Sequence, residues 1–308
     1  MQLVHLDDPT PGPGEVVIDV RAAGLCHSDV HIIHGSGAAW LSKRPIILGH
    51  EVSGTVRELG PNVADLRIGD RVAVALISHP LDELDPTTAP GLGRDGGFAE
   101  QAVFPAEMLV QIPDGVSLEQ AAVATDSIAT AYHAVVSEGE IQGAMQVAIV
   151  GLGGLGLNGV RIAALRGATV YGVDIDADTF EGARAQGAAA CFTSIADVPA
   201  PIDVIVDFAG VGSTTADALK AVRMGGRAVV VGLGVDHTSI DTHDLVTRNI
   251  RLQGSLGASR REFTEVLALI ADGSLTPLLE EVHFDSVPDA IARLARGDVT
   301  GRIFTRPS

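Results

Sequence analysis

The chain has 308 residues, enough for two separately cored domains, and 46% of them are hydrophobic. A formal net charge of −18, from 21 basic and 39 acidic side chains, argues against nucleic acid or an anionic membrane as partner and reads as a solubility feature. No apolar run reaches the ~18 residues that span a bilayer, no secretory leader opens the chain, and two cysteines, Cys26 and Cys191, cannot build a disulfide scaffold, so a cytoplasmic protein is expected.

The first half is dense in short β-rich runs separated by Gly and Pro turns. Residues 15–23 predict a strand after the turn-rich Pro9–Gly14, and Gly24 ends it. Val52–Val56 and the segment 69–76 predict a further strand and a turn with its strand. Residues 78–97 have no strong period and predict a surface loop, after which Phe98–Val103 resumes a strand. This pattern points to a compact antiparallel β unit. Ser117 with Gln120 predicts a capping box for a helix over 118–124, and 127–137 reads as a second helix.

Next comes Gly151-Leu152-Gly153-Gly154-Leu155-Gly156, directly after the apolar run Gln146–Val150. A helical stretch follows from Leu157 to Arg166, closed by Gly167, and then a β run, Thr169–Val173, ending in Asp174. The order is strand, glycine turn, helix, strand, acid. Gly151 permits the tight turn, Gly153 lets backbone approach a pyrophosphate, and Gly156 lets helix and strand pack closely. Gly154 and Leu155 complete the turn, and the helix N-terminus offers unpaired N–H groups to the phosphates. Asp174, roughly 20 residues on, is placed to bind an adenosine ribose, and its charge favours NAD over NADP. A lone glycine turn is weak evidence; the intact strand–turn–helix–strand context is what carries this reading. Beyond Asp174 the alternation continues, with strands at 189–192, 202–207, 226–232 and 250–254 and helices at 178–186 and 214–223. Such alternation builds a doubly wound parallel sheet. Helices 260–272 and 287–296 follow, then a last strand, 302–305, expected to return to the first β unit.

Cys26, His50 and Glu51 each sit at a strand end and are candidate metal ligands, a thiolate and an imidazole suiting zinc. Spacing alone leaves this open, because a buried cysteine can be a small core residue and a histidine can simply occupy a turn.

The combination is more specific. Gly24-Leu25-Cys26-His27-Ser28-Asp29-Val30-His31, Gly49-His50-Glu51, the glycine turn, Gly69–Val72, Asp95–Glu100, Asp126–His133 and Gly301-Arg302-Ile303 resemble the zinc-dependent alcohol dehydrogenases of the medium-chain dehydrogenase/reductase superfamily, over nearly the whole chain. The resemblance implies an α/β protein with a GroES-like β-rich catalytic domain (residues 1–127 and 257–308) and a Rossmann NAD-binding domain (128–256), with NAD in the cleft between them. It implies Cys26, His50 and Asp126 as zinc ligands, Glu51 beside the metal, and Asp29 orienting the His50 ring. Ser28 would receive the alcohol proton and His31 would end the proton relay through the cofactor ribose. His27 and Arg302 would lie near the pyrophosphate, and Val231, Gly232, Ser255 and Leu256 at the nicotinamide end. Trp40 reads equally as a substrate-pocket wall or as core.

The chain also departs from the family. Many relatives carry a structural zinc on four cysteines after Gly-Asp-Arg-Val; residues 76–97 contain no cysteine, so one catalytic zinc per chain is expected. Relatives usually have more chain before Pro11–Glu15, which leaves an expected poorly covered sheet edge here. Asp176, Asp178 and Thr179 stand where relatives often place a lysine near the ribose acid. The expected function is NAD- and zinc-dependent interconversion of alcohols and carbonyl compounds by a homodimer or homotetramer. The alternatives are a reductase of activated C=C bonds, which has no need of the Ser28/His31 relay, and a non-catalytic nucleotide-binding relative.

Overall fold

The computed structural model describes residues 1–307. The backbone divides into two units. One comprises Met1–Ala129 and the stretch from Gly257 onward; the other is Thr130–Leu256.

The first unit opens with β1 (Glu15–Gly24), α1 (His27–His34), β2 (Glu51–Leu59), β3 (Arg71–Val74), β4 (Ile77–His79), β5 (Gln101–Pro105), β6 (Leu109–Gln111) and α2 (Leu118–Val123). The helix runs on through a π-helical turn, Ala124–Ile128, into α3 (Ala129–Tyr132). The second unit holds β7 (Gln146–Val150), α4 (Gly156–Leu165), β8 (Thr169–Val173), α5 (Phe180–Gln186), β9 (Ala190–Phe192), β10 (Ile202–Asp207), α6 (Gly212–Ala221), β11 (Val222–Val230), α7 (Thr242–Thr247) and β12 (Arg251–Gly254). The chain then adds β13 (Ala258–Ser259), α8 (Arg260–Ala271), β14 (Leu279–Val282), α9 (Val287–Ala295) and β15 (Arg302–Thr305) to the first unit.

The first unit is built on a largely antiparallel sheet in the order β14-β15-β1-β2-β3-β6, with β5 also paired to β1. β15 does return to the N-terminal strands, pairing with the end of β1. The alternating run in β1 puts Val16, Ile18 and Val20 into a core with Val52, Val56, Val72, Val74 and Phe104. An apolar stripe on α9 (Val287, Ala290, Ile291 and Leu294) packs on Leu25, Val30 and Ile303, which holds α1 beside the sheet. Burying such side chains contributes roughly 1.5–3 kcal/mol each.

The second unit has a six-stranded parallel sheet in the order β12-β11-β10-β7-β8-β9. Its central strands β7 and β10 are almost continuously buried; Ala148, Val150, Val173, Ile202, Ile205 and Ala228 share one core with Ala218 and Leu219 of α6.

Three elements depart from expectation. The expected surface loop 78–97 includes part of β4, which pairs in parallel with β13 nearly two hundred residues downstream, and 3₁₀ turns at Leu81–Glu83 and Pro86–Thr88. No local period could reveal a strand whose partner is so remote. The two helices expected at 118–124 and 127–137 form one helical path with π-helical turns, the capping box at Ser117 and Gln120 included. Residues 27–34, for which the sequence reading predicted no helix, form α1, with Cys26 as its N-cap. No helix among the described residues is long and apolar enough to cross a membrane.

Candidate functional site

Strand pairing brings Cys26 and His50 together. β1 and β2 run antiparallel with Gly24 opposite Glu51. Cys26 follows the end of β1 and His50 precedes the start of β2, so both emerge at the same edge. β15 pairs Phe304 with Gly24, which brings its first residue, Arg302, to that edge as well. The His50 loop is fixed from outside: Gly97 N–H donates to the Gly49 carbonyl (2.8 Å) and Phe98 N–H to that of Leu48 (2.9 Å). Gly49 has φ +94°, and a side chain there would collide with Phe98.

Asp126 arrives on the π-helical turn, from the helical path that the Ser117/Gln120 box starts over β1 and β2. π-turns are rare and concentrate at functional sites. The Cys26 sulfur, a ring nitrogen of His50 and an Asp126 oxygen all lie within 4.8 Å of one another, and all three residues are buried. Cys26 Sγ is 3.3 Å and His50 Nε2 3.5 Å from Asp126 Oδ2.

Around these three stands a second set of polar side chains. Asp29 Oδ2 accepts the Cys26 N–H at 2.9 Å, which caps α1. Asp29 Oδ1 lies 3.7 Å from His50 Nδ1, and both atoms are buried without a hydrogen-bond partner, face to face. A shift of a few tenths of an ångström closes that bond and fixes Nε2 as the outward ligand nitrogen. Glu51 Oε1 accepts the Ser127 N–H at 3.1 Å and the Arg302 guanidinium at 2.6 Å. Arg302 Nη2 also donates to Asp126 Oδ2 at 3.0 Å. Sequence reasoning missed the Ser127 amide, and it set Arg302 beside the cofactor rather than in this cluster.

The electrostatics follow from burial and crowding of anions. Burial pushes the Glu51 carboxyl up to about 7 even against Arg302, with Asp126 adding repulsion. Burial raises Asp29 also, although His50 opposes it. Burial works against a charged His50 ring, but Asp29 and Cys26 outweigh it and hold the imidazolium far more stable than usual. Proton affinity at Glu51, Asp29 and His50 is raised because these buried groups gather in low dielectric with other anionic side chains. A divalent cation would replace those protons. One thiolate, one imidazole and one carboxylate, with a second carboxylate behind the ring, is a donor set that fits zinc.

Ser28 and His31 lie on α1, beside this cluster. Ser28 Oγ is 3.7 Å from Cys26 Sγ. His31 Nδ1 is 3.1 Å from Ser36 Oγ, and the ring meets Trp40 edge-on with centroids 5.9 Å apart. Trp40 is exposed, with 37% of its surface open, so the core reading does not hold. His27 is exposed at the start of the helix.

In the second unit the glycine turn has three distinct local geometries. Gly151 adopts φ +83°. A side chain on Gly156 would overlap the Gly151 carbonyl oxygen, so α4 can start only there against its own turn. At Gly153 a Cβ would meet nothing within 4 Å, leaving backbone open to a ligand. Asp174 Oδ2 accepts the Leu152 N–H (2.7 Å) and Oδ1 the Asp176 N–H (3.0 Å), so the acid is locked to the turn. Val231 and Gly232 follow β11, both donating N–H to the Asp207 carbonyl, and Ser255 and Leu256 follow β12. Ser255 Oγ is buried with no hydrogen-bond partner. The open backbone at Gly153, the locked acid and the orphaned hydroxyl fit a dinucleotide.

Comparison with known proteins places the chain in a family. Residues 12–114 match the alcohol dehydrogenase GroES-like domain and residues 154–272 the zinc-binding dehydrogenase family. An alcohol dehydrogenase of Geobacillus stearothermophilus is 30% identical, the alignment covering 98% of this chain and 95% of that protein. The acetophenone reductase of Geotrichum candidum, solved with NAD, is 32% identical with a TM-score of 0.89, covering 96% of this chain and 91% of the other. The alcohol dehydrogenase of Aeropyrum pernix is 28% identical with a TM-score of 0.91, covering 99% and 96%.

Proposed function

Since the chain belongs to the zinc-binding alcohol dehydrogenases of the medium-chain dehydrogenase/reductase superfamily, we propose that Cys26, His50 and Asp126 hold its catalytic zinc. The chain is an NAD- and zinc-dependent oxidoreductase acting on small alcohols and carbonyl compounds. The observation that carries the ligand assignment is the convergence of one sulfur, one nitrogen and one oxygen within 4.8 Å in a buried site.

Bound zinc supplies Lewis acidity at the alcohol oxygen, and NAD supplies the hydride acceptor. The chain's own residues hold, orient and move protons. Asp29 fixes the His50 ring. Ser28 takes the hydroxyl proton and His31 receives it at the end of the relay. Ser36 sets which nitrogen does so: its single hydroxyl proton goes to the His31 carbonyl (3.2 Å), so Oγ can only accept from Nδ1–H. That network leaves the lone pair on Nε2. Glu51 stands beside the metal, bonded to Arg302, and His27 serves the pyrophosphate. Gly151, Gly153, Gly154, Leu155 and Gly156 cradle the phosphates, and Asp174 takes the ribose and selects NAD. Val231, Gly232, Ser255 and Leu256 receive the nicotinamide end.

One zinc is bound per chain, because the 76–97 segment has no cysteine with which to hold a second. The chain assembles as a homodimer or homotetramer. The support is β12, an edge strand whose four residues are all exposed, Leu252 among them. The test is zinc per chain by elemental analysis together with NAD-dependent oxidation of a small alcohol panel. One zinc with turnover is expected; protein that binds NADH but holds no zinc and turns nothing over would overturn the assignment.

A further inference from the structure

Arg302 enters the metal cluster more deeply than a cofactor contact needs to. Its side chain is about 5% exposed. Nε donates to both Glu51 oxygens, at 3.1 and 3.0 Å, and Nη2 to Glu51 Oε1 at 2.6 Å. Nη2 makes one more bond, 3.0 Å to Asp126 Oδ2. That oxygen is the one within 3.3 Å of the Cys26 sulfur and 3.5 Å of His50 Nε2. A carboxylate oxygen has two lone pairs, so it can serve a metal and an N–H at once.

We propose that Arg302 is a positioning residue of the metal centre, aiming Asp126 Oδ2 at the metal while tying it to Glu51. The proposal rests on Cys26, His50 and Asp126 being the zinc ligands. Two effects oppose each other. The guanidinium charge repels a divalent cation, which alone would weaken binding. Its planar fork fixes two buried carboxylates in one orientation, which strengthens binding because the ligand need not be ordered on metal arrival. Outer partners of metal ligands typically affect affinity by ~10–100-fold, and the close fork geometry here puts the orienting effect ahead.

The experiment is zinc competition against a chromogenic chelator, with NADH titration by fluorescence on the same samples, for wild type, Arg302→Gln and Arg302→Lys. Both variants are expected to bind zinc ~10–100-fold more weakly, Lys less so than Gln, since it keeps the charge and one donor but loses the fork. NADH affinity is expected to move less than threefold. Arg302→Lys is then repeated in an Asp126→Cys background, where the ligand carboxylate that the fork grips is gone and only Glu51 remains to it, and there its effect on zinc is expected to fall below threefold. A fold defect would act equally in both backgrounds, so an equal loss in both overturns the proposal. Tighter zinc binding in Arg302→Gln would mean that charge repulsion dominates, and overturns it too. Unchanged zinc affinity with at least tenfold weaker NADH binding would return Arg302 to the pyrophosphate. If the wild-type protein itself takes no zinc from the chelator, the ligand assignment fails, a result distinct from any of these.

Discussion

The metal cluster and the glycine turn solve opposite problems. The cluster is made of charged side chains drawn from four segments of the chain, all buried, and most bonded to one another. The turn is made of backbone from six consecutive residues, and its key position, Gly153, faces open space. A cation needs several anionic donors held close against their mutual repulsion, so its site needs scaffolding from other side chains. A dinucleotide phosphate needs N–H groups and room, so its site needs little beyond the absence of side chains.

Substitutions should separate the two logics. Cys26→Ala removes a ligand and is expected to abolish zinc and turnover together while NADH still binds. The loss should exceed the ~10–100-fold typical of an outer partner, and elemental analysis with steady-state assay reads it. Asp29→Asn keeps the shape but removes the charge behind His50; zinc affinity is expected to fall ~10–100-fold by chelator competition. In the turn the glycines should part company. Gly156→Ala drives a Cβ into the Gly151 carbonyl and is expected to cost about 1–3 kcal/mol, seen as a lower Tm. Gly153→Ala is expected to leave stability within ~0.5 kcal/mol yet weaken NADH at least about tenfold, or 1.4 kcal/mol, by fluorescence titration. Equal effects from the two would mean that the turn is structural only. The narrowest effect on cofactor binding is expected at Asp174→Ala, which changes only the choice between NAD and NADP. It loses an acceptor for Leu152 N–H and about 1 kcal/mol of stability, while the NAD/NADP preference relaxes about tenfold. An unchanged ratio of kcat/KM for the two cofactors removes Asp174 from the ribose.

Legibility in the sequence followed the same divide. β7, the turn, α4 and β8 are contiguous and periodic, and their extents match the pattern within a residue. β10 and β15 were equally clear from their apolar runs. The cluster has no such local signature. Cys26 and Asp126 stand a hundred residues apart, and only resemblance to a family joined them. Arg302 shows the cost of that route, because matching a motif assigns a neighbourhood but not a hydrogen bond. α1 was hidden because its cap is an atypical Cys26 with Asp29, rather than a serine with a glutamate. β4 and β13 were hidden because each is short and pairs only with the other.

The π-helical turn at Ala124–Ile128 makes the site sensitive to chain length. Such a turn holds one residue more than the helix needs, and each residue rotates a regular helix by ~100°. Dropping one codon there would restore an ordinary helix and swing everything on one side of the gap around its axis, Asp126 or its anchoring neighbours with it. The helix would gain regular hydrogen bonds as the centre lost its proposed third ligand. A deletion scan along 118–138 should therefore find its sharpest loss of zinc where the helix itself has most to gain. Inheritance of this protein's chemistry thus depends on keeping one apparently surplus residue.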